Sequence, residues 1–169
     1  LGQWGTDNML SRLFGKNEKR TQEQEEEQEP DLFKASCAGD LVSVMAALAG
    51  GQNVNTRGGV NDLTCLIEAV LGGHKEVVTV LLQHEDCDLS LVNHYKGTAL
   101  HFACSRGRVG MVRQLASHPN QSSINSKDIF GESAIMTAVK WGEAECVEAL
   151  GRVAGVELDT RDGKGRSLE

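Results

Sequence analysis

The feature that most constrains this chain is a pattern that recurs about every 34 residues. A hydroxyl residue able to cap a helix recurs at intervals of 34, 35 and 34 residues, at Thr64, Thr98, Ser133 and Ser167. The first three are followed by two short runs with helical spacing of apolar residues, separated by a glycine. A pair of such short helices cannot bury its apolar faces alone. The recurrence therefore predicts a stack of helix pairs in which each unit packs against the next.

The third unit shows the pattern most clearly. Thr98 is placed to cap a helix beginning at Ala99, and Gly107 to end it, because glycine adopts left-handed backbone angles without steric cost. The apolar stripe of its second helix is predicted to consist of Val109, Met111, Val112 and Leu115.

The first unit departs from the pattern at its start. Pro30 and Asp31 replace the hydroxyl residue, and Asp31 would place a carboxylate beside the first helix amides. Its inner face is predicted to comprise Leu32, Phe33, Val42, Met45 and Leu48.

A repeat of this length, with Thr98-Ala99-Leu100-His101 opening one helix and Gly73-His74 opening another, resembles the ankyrin-repeat family. The resemblance implies an all-α fold, an ankyrin-repeat solenoid of helix-turn-helix units joined by β-hairpin-like loops. It also implies that His101 joins neighbouring repeats through hydrogen bonds. The predicted repeat domain covers residues 30–166, with repeats at about 31–58, 59–92, 93–127 and 128–161 and a truncated fifth from 162. A repeat begun there suggests that the natural protein continues, and residues 167–169 are interpreted as a cloning remnant.

Residues 1–29 have a different composition. Residues 18–29 are rich in Glu and Gln without an apolar stripe, which predicts a disordered or transiently helical linker. A short helix is predicted at 7–15, with Met9, Leu10, Leu13 and Phe14 on one face. Two interpretations stay open: a disordered tail, or a segment at 4–14 that docks on the groove of the same or a neighbouring copy, giving autoinhibition or self-association. Membrane-surface binding is disfavoured because the glutamates repel anionic lipid.

Composition and charge exclude several classes of function. A formal net charge of −7 argues against nucleic acid as the main ligand, since phosphate binding needs clustered Lys and Arg. We find neither an apolar stretch long enough to cross a membrane nor a secretory signal. The five cysteines are spread along the repeats, which predicts reduced thiols acting as small hydrophobic residues, with Cys37 and Cys104 at buried positions. These features predict a cytoplasmic protein, with the nucleus as the alternative.

Residues for catalysis do not converge in the sequence. A stack of repeats spreads side chains along a rod, and no glycine pair is followed by the Lys-Ser/Thr of a phosphate-binding loop. A zinc site formed by His84-x-x-Cys87 and His101-x-x-Cys104 is disfavoured, because the repeat pattern already explains His101 and Cys104. The sequence therefore predicts a non-enzymatic protein without a cofactor or metal.

The remaining prediction concerns the surface. In the ankyrin family, hairpin tips and first helices line a concave groove where partners bind, so the resemblance implies a scaffold or adaptor that binds a partner peptide there. The tip positions of the truncated fifth unit would be Gly163, Lys164 and Arg166. The predicted partner-binding residues are Tyr95, Phe102, Arg106, Ile129, Phe130, Lys140 and Trp141. The basic members favour an apolar ligand with some negative charge.

Overall fold

The computed structural model describes residues 30–157 and Gly165. Several predictions therefore lie outside the described residues: the tail at 1–29 with its helix at 7–15, the start of a fifth repeat with Gly163, Lys164 and Arg166 at its tip, and the remnant at 167–169. The described residues form eight helices and two short strands, arranged as four helix pairs.

The helix pairs follow one another along the chain. The first comprises α1 (Leu32–Ala38) and α2 (Leu41–Ala49), and the second comprises α3 (Cys65–Gly72) and α4 (Lys75–Gln83). The third comprises α5 (Ala99–Ser105) and α6 (Val109–Ala116), and the fourth α7 (Ala134–Trp141) and α8 (Ala144–Gly151). Between the first two pairs, β1 (Arg57–Gly58) pairs antiparallel with β2 (Leu63–Thr64), with Arg57 opposite Thr64. The predicted all-α helix-turn-helix architecture is confirmed.

The four pairs stack through a shared apolar core. The first helices α1, α3, α5 and α7 each contact the next in the row, and so do the second helices α2, α4, α6 and α8. Leu66, Leu100 and Ile135, which begin successive first helices, are only 4%, 1% and 5% exposed. Because these corresponding residues all lie inside, the core continues from one repeat to the next.

The predicted inner face of the first repeat is wrong at two positions on α2. Val42 and Met45 are 78% and 54% exposed, and the side chains that α2 buries are Val44 and Ala47. The sequence of α2 is apolar on almost every side, so its periodicity does not reveal which side packs inward. The other predicted members are buried or half-buried: Leu32, Phe33 and Leu48.

The cysteines are free, and the predicted burial fails at one of them. Cys37 is exposed near the end of α1, whereas Cys104 and the three others are buried. Counted from Gly39 and Gly107, which follow α1 and α5, Cys37 corresponds to Ser105 on the groove side. The buried position that Cys104 holds in the third repeat is held by Ser36 in the first. Burial raises the pKa of Cys65 and of Cys87 to about 11, so these thiols remain protonated at neutral pH.

Polar side chains begin the helices in different ways. The Lys34 N–H donates to the Asp31 carboxylate at 3.1 Å, and the Ile67 N–H donates to the Thr64 hydroxyl at 3.2 Å, as predicted. Ser133 is the N-cap residue of α7, as predicted, but its buried hydroxyl makes no hydrogen bond to the first turn. The Ser133 carbonyl instead accepts from the N–H and the hydroxyl of Thr137, at 2.9 and 3.1 Å.

Gly107 lies between α5 and α6 and has two reasons to be glycine. Its φ is +62°, and a Cβ there would meet the Glu143 carboxylate from the next repeat. We expect Gly107→Ala to lower the free energy of unfolding by about 1–2 kcal/mol. Gly110 lies in the first turn of α6, and a Cβ added there would meet no heavy atom within 4 Å. Gly110→Ala should therefore raise stability by about 0.5 kcal/mol.

Urea unfolding monitored by circular dichroism measures both variants. A lower free energy of unfolding for Gly107→Ala together with a higher one for Gly110→Ala would support this account of the turn. A Gly107→Ala variant as stable as the unmodified chain would contradict it.

Candidate functional site

Asn93 shapes the hairpin tip that enters the third repeat. Its side-chain Oδ1 accepts from the N–H groups of Tyr95 and Gly97, each at 3.0 Å. The Asn93 N–H donates to the Gly97 carbonyl at 3.1 Å and closes the turn. A side-chain oxygen that accepts hydrogen bonds from nearby backbone N–H groups stabilises a tight turn. These bonds therefore fix the backbone that carries the Tyr95 ring.

Asp128 shapes the corresponding tip of the fourth repeat. Its Oδ1 accepts from the N–H groups of Phe130 and Glu132, at 2.8 and 3.0 Å. The Ile129 N–H donates to the Tyr95 carbonyl at 3.0 Å and joins the two tips. The aromatic rings of Tyr95 and Phe130 are thus carried by two turns of the same design, which are hydrogen-bonded to each other.

The first helices of these two repeats complete a cavity of about 240 Å³ beside the tips. The aromatic residues lining it come from both tips and both helices: Tyr95, Phe102, Phe130 and Trp141. The other lining residues are Gly97, His101, Ser105, Asp128, Glu132, Thr137 and Lys140. The third and fourth repeats therefore build one concave site together.

Three of these aromatic side chains are open to solvent. Tyr95 is 52% exposed, Phe130 61% and Trp141 62%. Exposure to water costs large aromatic side chains more free energy than it costs most other side chains. Phe102 is half-buried and packs against the core. Clustered exposed aromatic rings at a concave surface are typical of a binding site.

One ion pair crosses the site. Lys140 Nζ lies 2.8 Å and 2.9 Å from the two carboxylate oxygens of Glu132. The same ammonium lies 5.7 Å from the centre of the Phe130 ring, within the range of a cation–π interaction. The charge of Lys140 is therefore already neutralised by a residue of the site.

His101 links the third repeat to the fourth, as the sequence resemblance implies. Its Nδ1 accepts from the Thr98 N–H at 3.2 Å and lies 2.8 Å from the Thr98 hydroxyl. Because Nδ1 is an acceptor, the proton lies on Nε2, which donates to the Glu132 carbonyl at 3.1 Å. Both ring nitrogens are thus committed to structural hydrogen bonds.

The same histidine should make stability depend on pH. Burial lowers the pKa of His101 below its usual 6.5, although the Glu132 carbonyl and the Asp128 and Glu132 charges oppose this. The unfolded chain then takes up a proton at a higher pH than the folded chain. The contribution of neutral His101 to the free energy of unfolding is therefore complete above about pH 6.5 and is lost as the pH falls below that value.

We expect His101→Met, which copies Met136 of the fourth repeat, to be less stable than the unmodified chain at pH 7.5. The difference should shrink toward pH 5, because only the unmodified chain carries this titration. Urea unfolding at a series of pH values measures both chains. Parallel stability curves would show that His101 is not held neutral by the fold.

Five of the seven predicted partner-binding residues line the cavity, namely Tyr95, Phe102, Phe130, Lys140 and Trp141. Arg106 is exposed at the end of α5 but does not line it. Ile129 is 47% exposed and contributes the backbone bond between the tips instead of a lining side chain. The binding role of all seven residues stays a prediction.

Sequence reasoning missed Asp128 and Ser105 as lining residues. Asp128 carries a recognisable signal, because Asn93 and Asp128 each stand five residues before the hydroxyl residue of their repeat. Asn and Asp side chains accept hydrogen bonds from backbone two residues on, which is how both tips form. Ser105 has no comparable signal, since its place on the groove depends on the phase of α5.

The described residues add two findings on other kinds of site. Nowhere in residues 30–157 do three His, Cys, Asp or Glu side chains come together as metal ligands. Over the same part of the chain, none of the helices has the length and apolar character needed to cross a membrane.

Comparison with known proteins agrees with this architecture. The family model for ankyrin repeats, present in three copies, matches residues 32–128 and 84–162. This chain belongs to the ankyrin-repeat family, whose repeats form protein–protein interaction modules. The chain is also similar to the probable E3 ubiquitin-protein ligase XBOS31 of Oryza sativa subsp. japonica, with 32% identity over 124 residues. That match covers 72% of this chain and 27% of the rice protein, so the chain spans about a quarter of its relative.

Proposed function

We propose that the concave site between the third and fourth repeats binds a segment of a partner protein, and that the chain acts as a scaffold or adaptor. The observation that carries the proposal is the group of three exposed rings, Tyr95, Phe130 and Trp141, around one cavity. Aromatic residues dominate the binding energy of protein interfaces when a partner covers them.

The rigidity of the site also favours recognition. The two tips are held by side-chain acceptors and by the bond from Ile129 to Tyr95, and His101 fixes the second tip to α5. A surface that is ordered before binding loses little conformational entropy when a partner docks. An extended or helical peptide can therefore bind without rearranging the repeats.

We propose that this region does not itself catalyse a reaction. His101, a potential general base within the site, has both ring nitrogens engaged in structural hydrogen bonds. The ligase activity named for the rice relative belongs to a protein of which this chain covers 27%. A binding module of this kind would serve a longer protein by holding its partner.

The test is selection of peptides from a displayed random library on the unmodified 169-residue chain, followed by measurement of dissociation constants. The combined variant Tyr95→Ala, Phe130→Ala and Trp141→Ala should raise the dissociation constants of the selected peptides at least about tenfold. The matched control, Val42→Ala with Met45→Ala, removes exposed apolar side chains from α2 and should leave binding unchanged. Equal losses in the two variants would contradict the proposal.

A chain lacking residues 1–20 tests the alternative of self-association or autoinhibition through residues 4–14. If that segment occupied the groove, its removal would strengthen peptide binding or dissociate an oligomer. Unchanged peptide affinity and an unchanged oligomeric state would eliminate that alternative.

A further inference from the structure

We infer that the cavity recognises a basic side chain of the partner, a lysine or an arginine, and that Lys140 fills this cation site while the protein is free. The inference rests on the proposed function and names the chemistry of its ligand. It replaces the expectation from sequence that Lys140 attracts an acidic peptide.

The charges of the lining residues favour a cation. Asp128 and Glu132 are acidic, and Lys140 is the basic residue among those that line the cavity. His101 is neutral, because burial lowers its pKa and its Nδ1 accepts a hydrogen bond. The lining therefore has a formal charge of −1, and its single positive charge is already bound to both oxygens of Glu132.

The aromatic rings supply the second attraction. The faces of aromatic rings carry partial negative charge and attract ammonium and guanidinium groups more than neutral groups of equal size. The Lys140 ammonium already makes such a contact inside the molecule, 5.7 Å from the centre of the Phe130 ring. Tyr95 and Trp141 line the same cavity with most of their surface still uncovered.

The two side chains of the ion pair differ in how much they are exposed and how firmly they are held. The side chain of Glu132 is 12% exposed, whereas that of Lys140 is 48% exposed. Glu132 is also held at the tip by its N–H bond to Asp128, while Lys140 lies at the end of a flexible stem near the end of α7. Glu132 is thus the fixed acceptor, and Lys140 is the cation that an incoming side chain can displace.

Displacement should cost little. The Lys140 side chain is 48% exposed, so water competes with Glu132 for its ammonium, and the lysine loses side-chain freedom in the pair. A partner cation restores the contact with Glu132 and adds contacts with the uncovered rings, and Lys140 regains full hydration.

The experiment follows the indole N–H resonance of Trp141 in the full chain by NMR. The chain has two tryptophans, so a Trp4→Phe variant assigns the signal. Three probes of similar size are titrated: n-butylammonium as the cation, 1-butanol as the neutral analogue and butyrate as the anion. Butylammonium should bind at least about threefold more tightly than butanol, and butyrate more weakly than either.

Two variants then test the exchange between cations. Lys140→Met keeps the stem but removes the internal ammonium, and it should strengthen butylammonium binding about threefold or more. Glu132→Gln keeps the shape but removes the fixed acceptor, and it should weaken binding by a similar factor. The matched control is the exposed pair of Glu148 on α8 and Arg152 just after it, where Glu148→Gln and Arg152→Met should leave butylammonium binding unchanged.

Several results would overturn the inference. Stronger binding of butyrate, or weaker butylammonium binding in Lys140→Met, would assign the site to an acidic ligand. Equal binding of butylammonium and butanol would make the cavity merely apolar, and no shift of the Trp141 signal with any probe would remove the cation site. In each case, selected peptides that still lose affinity in the three-ring variant leave the proposed function intact.

Discussion

Replacement of Leu100 by alanine should lower the free energy of unfolding by about 3 kcal/mol, because the change removes most of a buried isobutyl group and leaves a cavity. Leu100 is 1% exposed at the start of α5, and α5 packs against α3 on one side and α7 on the other. A cavity there weakens both repeat interfaces at once. Urea unfolding of the full chain measures the change.

Met45→Ala is the matched control for Leu100→Ala. It removes a side chain of similar size from α2, where Met45 is 54% exposed, so its effect should remain within about 0.5 kcal/mol. Similar losses in the two variants would show that Leu100 does not lie in a shared core, and the stacking of the repeats would then be wrong.

Ala103→Phe should disrupt the third repeat by overpacking. Ala103 is fully buried in the middle of α5, between the two neighbouring first helices, and a phenyl ring has no room there without moving backbone. Overpacking a core costs about 1–3 kcal/mol, and the cost should reach or exceed the upper end here because an entire ring is added. Hydrogen exchange should show lost protection in α5 and α6.

Ala46→Phe places the same ring on the exposed side of α2 and is the control. Its effect on the unfolding free energy should remain within about 0.5 kcal/mol. A melting curve of Ala103→Phe that matches the control would contradict the packing of α5.

The repeat architecture could be predicted because it depends on local signals that recur. Gly107 and the apolar residues at fixed spacing report helix ends and buried faces directly in the sequence. The same reasoning failed for Val42 and Met45, because α2 is apolar on nearly all sides and only its packing partners select the buried one. It failed for Cys37 because the buried position of α1, which corresponds to Cys104, is held by the preceding residue Ser36, while Cys37 faces the groove as Ser105 does.

The candidate site could be predicted in its aromatic members but not in its charges. Tyr95 and Phe130 follow from their positions on corresponding hairpin tips. The pairing of Lys140 with Glu132 joins a helix end to a hairpin tip eight residues away, and no sequence period reports that contact. The basic residues Arg106 and Lys140 in the predicted set therefore indicated an apolar ligand with some negative charge, whereas the contacts around the cavity favour a basic one.

The most direct test of the central proposal is a map of backbone and indole NMR shifts when a selected peptide is added to the full chain. The largest shifts should fall on Tyr95, Phe102, Phe130 and Trp141, with little change on the exposed sides of α2 and α6. Shifts concentrated on those second helices, with the Trp141 indole unchanged, would show that the partner binds elsewhere on the stack.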